Sequence, residues 1–246
     1  MREKNIFHVL RDSRYTVVLS GAGLMAESGY PLLRDGEESY EIEDKYGYFC
    51  CASCNGRCYS ARGEQFFTCY KEGLLKWSCS AAGKGCSVGK KRQEDGLVRS
   101  IVTRRIAGLE DRVGCRNVVN MKGTVFDNVC PSCGRHYPME YVRDSKGVPL
   151  CEHCLVALRP QVCLFGEMID NGIMTRAAGE VEKAEVLLVL GASLNSPLCS
   201  QMLQYYSGTN LILVTGSEHY ADQRADFVVY GRCDEFLERL AAECDN

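Results

Sequence analysis

The chain has 246 residues, a formal net charge of −3 and 16 cysteines. That length holds one large domain with a real core, or such a domain plus a small module. The near-balanced charge excludes wholesale binding to nucleic acid or a membrane surface, and no apolar run reaches membrane-spanning length.

Ile6, Phe7, Val9 and Leu10 make the apolar face of a short helix. Residues 15–19 form a continuous β-branched and apolar run, as expected of a strand covered on both faces. A glycine turn and a second helix follow. Residues 97–103 and 117–120 read as further strands. Residues 173–184 read as a helix, with Glu180 and Glu182 near Lys183. Strands follow at 186–190, 211–214 and 227–230, and an amphipathic helix over 234–242 closes the chain. Strands and helices alternating at these lengths predict an α/β fold, a Rossmann-like doubly wound parallel sheet. Its pieces are 1–34, 96–125 and 158–246, interrupted by excursions over 35–95 and 126–157.

The first excursion opens acidic (Glu37, Glu38, Glu41, Glu43, Asp44) and carries seven cysteines: Cys50, Cys51, Cys54, Cys58, Cys69, Cys79 and Cys86. Cys51, Cys54 and Cys58 offer a second metal site, but no matching knuckle follows at ribbon spacing. A poorly packed insertion with free thiols is the plainer reading. The abrupt composition shift, which recovers at Gln93, also fits a local reading-frame change.

The second excursion contains C-P-S-C, seventeen residues, then C-E-H-C. Each Cys-x-x-Cys presents two sulfurs from one tight turn, and two facing knuckles complete a tetrahedron around zinc. The ligands are then Cys130, Cys133, Cys151 and Cys154, with His153 a superfluous competitor. A closed four-thiolate shell has no open position, so this zinc, one per chain, is structural. Asp144, Ser145, Lys146 and Gly147 read as the hairpin turn of a zinc ribbon. The zinc spacing, the length and a polar N-terminus without a secretory signal's apolar stretch favour a reducing cytoplasmic setting over a disulfide scaffold.

After the first strand the chain reads G-A-G-L-M-A-E-S-G-Y-P-L-L-R from Gly21 to Arg34. Gly21 and Gly23 allow a sharp turn and close backbone approach to a diphosphate. The stretch resembles the NAD-binding signature of the sirtuin family, G-A-G-x-S-x-x-S-G-I-P-D-F-R. Further segments resemble that family in chain order: I-V-T-R-R-I-A-G-L from Ile101, V-V-N-M-K-G-T-V from Val118, R-P-Q-V-C-L-F-G-E from Arg159, G-A-S-L from Gly191 and G-R-C from Gly231. The resemblance covers the chain except 49–95.

The resemblance implies a Rossmann-like domain, a small zinc domain and a cleft between them that takes NAD and an acyl-lysine protein or peptide. The acyl group passes to ADP-ribose as nicotinamide leaves. It assigns the cofactor to Gly21, Ala22, Gly23, Ala26, Glu27, Ser28, Gly29, Leu33, Arg34, Arg104, Ile106, Ala107, Gly191, Ala192, Ser193, Thr215 and Cys233. Phe165, Gly166 and Glu167 line the substrate groove, where an extended peptide can add as a strand. Neither nucleic acid nor membrane is an expected partner. Cys163 and Cys199 read as small core residues.

This chain departs from the family at its chemistry. Lys122 stands at the position of the catalytic His, Arg104 and Arg105 at those of the Gln and Asn, Ala107 at that of the Asp and Met25 at that of the loop Ser. Leu32 and Leu33 replace the Asp-Phe pair, and Thr215 stands where an Asn is expected. A free lysine side chain titrates at about pH 10.4, so it serves as a base near neutrality only if burial or nearby cations lower that value. Arg104 and Arg105 are candidates to supply that field, or to clamp a phosphate or carboxylate. Lys122 and Arg105 are therefore the catalytic candidates. The expected function is NAD-dependent protein lysine deacylation, weakened or altered. The alternatives are a silent NAD or ADP-ribose binding module and an ADP-ribosyltransferase.

Overall fold

The structure is a computed structural model that describes residues 2–29, 55–76 and 90–244. The strands are β1 (Thr16–Ser20), β2 (Ser100–Thr103), β3 (Val118–Asn120), β4 (Gly123–Val129), β5 (His136–Pro138), β6 (Arg159–Val162), β7 (Val186–Leu190), β8 (Asn210–Thr215) and β9 (Phe227–Tyr230). The helices are α1 (Arg2–Asp12), α2 (Ala22–Glu27), α3 (Gly56–Ala61), α4 (Gly63–Cys69), α5 (Leu109–Arg112), α6 (Met139–Asp144), α7 (Asn171–Glu182), α8 (Pro197–Met202) and α9 (Cys233–Cys244).

Six parallel strands lie in the order β3-β2-β1-β7-β8-β9. β1, β2 and β7 are buried at every position, which explains their lack of polar alternation. One face of the sheet packs against α1 and α9, where Phe7 and Phe236 meet at 5.8 Å between ring centroids. The other packs against α7 and α8 through Ala177, Val181, Leu198 and Met202. β2 begins three residues later than the pattern predicts. The amides of Leu97 and Val98 are taken by the Arg92 carbonyl, at 2.9 and 3.2 Å, so a turn rather than the ladder holds them.

A second, antiparallel sheet, β5-β4-β6, belongs to the smaller lobe. The expected ribbon hairpin at Asp144–Gly147 is not what forms. β5 runs into α6, whose Met139 and Val142 turn inward, so these four residues end a helix and enter a bend. β4 pairs with β5 on one side and with β6, beyond the second knuckle, on the other.

Residues 55–76 are well packed, contrary to the poorly packed reading of the first excursion. Phe66, Phe67, Cys69, Tyr70 and Leu75 are buried in one cluster with Val125, Tyr137, Met139 and Leu158. Phe66 stacks on Tyr70 at 5.5 Å and meets Phe67 edge-on at 5.0 Å. The aromatic side chains that the excursion contributes thus complete the core of the zinc lobe, which three short strands are too few to close alone. Cys51 and Cys54 lie outside the described residues. Among the described residues no helix is long and apolar enough to cross a membrane.

Candidate functional site

A doubly wound sheet binds ligands beyond the carboxyl ends of its strands, at the point where strand order reverses. Here that point lies between β1 and β7. Ser20 pairs with both Thr103 and Leu190, so the ends of β1, β2 and β7 are level and their following loops meet.

The glycines at this junction interlock. Gly21 donates its N–H to Leu190 O at 2.8 Å and Gly23 donates to Gly191 O at 2.7 Å. A Cβ on Gly21 would lie 2.4 Å from Gly191 O, and one on Gly23 would lie 2.8 Å from Gly191 Cα. Gly191 itself has φ +62°, and a Cβ there would meet Leu24 N at 2.6 Å. Protein carbonyls thus take the amides of both Gly21 and Gly23, and the two glycines serve the close approach of the loops after β1 and β7. Ala22 and Ala26 remain exposed at the mouth of the loop. Ser28 Oγ donates to Leu24 O at 2.8 Å, and Gly29, at φ +78°, closes α2.

Glu27 has a structural occupation. Its two carboxylate oxygens accept the amides of Cys233 and Asp234, each at 2.8 Å, at the start of α9. An acid at a helix N-terminus satisfies amides that have no intrahelical partner. Cys233 is buried in the core, its thiol pushed up to about 12 by burial and then by the carboxylates of Glu27 and Asp234. Ser193 Oγ accepts from Asn195 N at 3.3 Å, Ala192 packs on the second core cluster, and Thr215 ends β8 opposite Tyr230. Leu33 and Arg34 lie outside the described residues.

The R-R-I-A segment after β2 divides. Arg104 stays beside the cleft, donating to Gln201 Oε1 at 3.1 Å, and its partial burial lowers its pKa. Arg105, only 7 % exposed, turns inward. Its guanidinium forms an ion pair with buried Glu110 and bonds the hydroxyls of Ser20 and Thr103. Ser20 in turn donates to Glu110 at 2.7 Å. Arg105 is thus neither a clamp in the cleft nor an uncompensated charge near Lys122. Ile106 packs on the small-lobe core and hands its carbonyl to Val125 N at 3.0 Å. Ala107 is buried in the large-domain core.

Lys122 follows β3 and holds Nζ 5.8 Å from the Phe165 ring centroid, a cation–π arrangement. Its carbonyl accepts from Cys163 N at 2.8 Å. Phe165 is 44 % exposed at the head of a turn through Gly166, at φ +82°. Glu167 fixes that turn: Arg159 Nη2 reaches both its oxygens at 2.7 Å, and Leu164 N donates to it at 2.8 Å. Cys163 is only partly buried. Burial raises its thiol pKa, while Lys122 and Arg104 oppose this from the cleft side. It is therefore a cleft residue, whereas Cys199 is fully buried, its thiol pushed up to about 11 by burial.

The thiol sulfurs of Cys130, Cys133, Cys151 and Cys154 all lie within 4.8 Å of one another. Cys133 and Cys151 sulfurs are 3.8 Å apart, which matches the edge of a tetrahedron with zinc–sulfur bonds of about 2.3 Å. The two knuckles repeat one turn. Gly134 N donates to Cys130 O and Leu155 N to Cys151 O, both at 2.9 Å, while Cys130 N and Cys151 N bond the carbonyls of Arg135 and Val156. Tyr137 hydroxyl donates to Cys151 Sγ at 3.1 Å. That bond is the main cause lowering the Cys151 thiol to about 6, favouring the thiolate a metal needs. The donor set fits a structural zinc, held by these four cysteines.

Sequence reasoning missed Glu110, Gln201 and Tyr137. The faint signal for Glu110 is an acid five residues after an arginine in an otherwise apolar turn. Gln201 and Tyr137 become partners only through tertiary contacts.

Residues 21–196 match the family model described as Sir2 family. The chain belongs to the Sir2, or sirtuin, family. It is 30 % identical over 222 residues to the NAD-dependent protein deacetylase of Clostridium perfringens, covering 90 % of this chain and 91 % of that one. Identity to NAD-dependent protein deacylase 1 of Archaeoglobus fulgidus is 26 %, covering 97 % and 96 %. The structure described as "The Structural basis of Sirtuin Substrate Affinity" superposes with a TM-score of 0.88 at 28 % identity, covering 99 % of each chain. "Sir2-p53 peptide-NAD+" superposes at 0.81 with 26 % identity, covering 100 % of this chain and 99 % of the other. NAD is the cofactor of the sirtuins, and the four-cysteine centre of this sirtuin lies at the knuckles of its small lobe.

Proposed function

We propose that this sirtuin is an NAD-dependent protein lysine deacylase with weakened chemistry at the nicotinamide side of its cleft. The observation that carries this reading is the split of the R-R-I-A segment. The ends of β1, β7 and β8 lie level, so Ala22, Ser193 and Thr215 follow or close neighbouring strands at one edge of the sheet, which supports a dinucleotide crevice there. Arg105 and Ala107, which follow β2, are committed to the interior. Bound NAD would supply the electrophilic ribose carbon that accepts the acyl oxygen.

The exposed Phe165 face and the turn fixed by Arg159 and Glu167 support an acyl-lysine peptide lying along 165–167. Solved relatives are described as "Sir2 bound to acetylated peptide" and "Structure of Sir2Tm bound to a propionylated peptide". Lys122 sits above Phe165, where a proton acceptor is needed. Its ammonium form has no lone pair to accept a proton. Loss of a general base typically lowers the rate by about 10²–10⁴-fold.

The test pairs calorimetry with a nicotinamide-release assay on acetyl- and propionyl-lysine peptides. NAD binding with turnover well below about 1 s⁻¹ is expected. Binding with no release above background would support the silent-module reading instead, which the inward Arg105 favours. Turnover at ordinary enzyme rates would overturn the weakened-catalysis reading. Lys122→Met and its pH profile would then show whether Lys122 is the base.

A further inference from the structure

The outer edge of the large sheet carries a feature unrelated to the cleft. β9 is the terminal strand, and alongside it runs a groove of about 820 Å³. Ile6 and Phe227 supply apolar floor, Tyr220 and Tyr230 aromatic walls, and Glu218, Asp222 and Asp226 carboxylates. No lysine or arginine is among the described residues that line it. None of the cleft residues at 21–23, 104–107, 122, 163–167, 191–193 or 215 contributes.

Two details separate this groove from an ordinary solvated acidic face. Asp222 is only 3 % exposed, yet one of its oxygens, Oδ1, has no hydrogen-bond partner in the structure. The other accepts from His219 N at 2.8 Å and from the Tyr230 hydroxyl at 3.2 Å, which orients the carboxylate. A buried carboxylate oxygen lacking a donor carries an uncompensated desolvation cost, which an entering cationic donor removes. Tyr220 is 77 % exposed but not loose. Asn195 Nδ2 donates to its hydroxyl at 2.6 Å, and the His219 ring lies 4.3 Å from its own. An exposed aromatic ring fixed beside carboxylates is suited to stack on a guanidinium or ammonium group.

We propose that this groove docks an extended, arginine- or lysine-bearing segment of a partner protein. One basic side chain donates to Asp222 Oδ1 between the rings of Tyr220 and Tyr230, and flanking basic residues meet Glu218 and Asp226. The volume exceeds what a lone ion needs and falls in the range that holds several side chains. The charge pattern selects basic over acidic segments, and its Coulomb part weakens as salt rises.

The experiment uses the full chain and a fluorescein-labelled peptide of alternating alanine and arginine, with an alanine–glutamate peptide as the counterpart. Anisotropy titrations at about 50 and 300 mM salt read the affinity across a screening length of roughly 13 to 6 Å. Saturable binding of the arginine peptide alone is expected, weaker at high salt. Tyr220→Ala and Glu218→Gln, both at exposed positions, should each weaken it by about 3- to 10-fold. Asp222→Asn should weaken it further. Glu182→Gln, an equal charge change at an exposed position of α7, should leave it unchanged. Unaltered affinity in Tyr220→Ala and Glu218→Gln overturns the proposal, even if Asp222→Asn fails to fold. So does equal weakening in Glu182→Gln, which would mark the binding as general attraction to an acidic protein. Absence of saturable binding overturns it outright.

Discussion

Removing the Glu110 carboxylate is expected to destabilise the large domain severely. Arg105 and Glu110 are both nearly inaccessible, and their pair sits directly beneath the glycine loop. Glu110→Ala leaves a buried guanidinium without its counter-charge, a change that typically costs about 3–5 kcal/mol. The hydroxyls of Ser20 and Thr103 still accept from Arg105, which places the loss near the lower end, about 3 kcal/mol. At this chain length the unfolding entropy is about 0.5 kcal/mol per kelvin, so the thermal midpoint should fall by about 6 °C. Scanning calorimetry on Glu110→Ala, Arg105→Met and the double variant Arg105→Met/Glu110→Leu gives the test. An apolar pair of similar volume is often neutral relative to a buried ion pair, so the double variant should recover to within about 1 kcal/mol of the parent. A shift below about 2 °C in Glu110→Ala, or a double variant as unstable as the two losses added, would refute the account. A corollary concerns catalysis. Restoring the family's Asn through Arg105→Asn alone strands Glu110 in the interior, so any attempt to rebuild the nicotinamide side must change Glu110 together with Arg105, Ala107 and Lys122.

Elemental analysis of freshly purified protein should find about one zinc per chain, and a strong chelator should unfold the small lobe. Tyr137→Phe removes the hydrogen bond to Cys151 and should weaken zinc retention by about 10- to 100-fold in a chelator-competition assay; unchanged retention would show that the bond is incidental. Leu155 is 72 % exposed at φ +56°, where Gly134 stands in the other knuckle. Leu155→Gly should therefore raise small-lobe stability by up to about 1 kcal/mol in denaturant titration, and a loss would contradict the reading of local strain. Burial alone would raise the pKa of Glu180, but bonds from Tyr15, Lys183 and Asn117 outweigh it and hold the carboxyl below its usual range. This stability is present above the ordinary carboxylate pKa of about 4.3 and is lost as pH falls through the lower folded value. Tyr15→Phe should move the acid-unfolding midpoint upward, and an unmoved midpoint would exclude the linkage.

The continuous apolar runs were enough to place β1, β7 and β8, because strands buried on both faces carry their burial in composition. The zinc ligands were legible for a different reason, since paired knuckles encode their geometry in local spacing. The fate of Arg105 was not legible. Two adjacent arginines look alike in sequence, and a buried acid that arrives only through the turn at α5 decides which one turns inward. The packing of 55–76 was hidden likewise. Its Cys-rich, Gly-rich flanks obscured Phe66, Phe67 and Tyr70, whose partners lie on β4, β5 and α6.

The interlock of Gly21, Gly23 and Gly191 changes what a glycine signature testifies to. Each residue lacks a side chain because another backbone occupies that space, and all three amides are spent on protein carbonyls. A descendant that ceased to use the nucleotide would still be held to these glycines, since replacing any one would pry apart the loops after β1 and β7. Survival of the motif therefore certifies that the crevice is built, not that it is used. Evidence of use must be sought at the less constrained mouth, at positions such as Ala22 and Ser193, where a lineage free of the cofactor is free to drift.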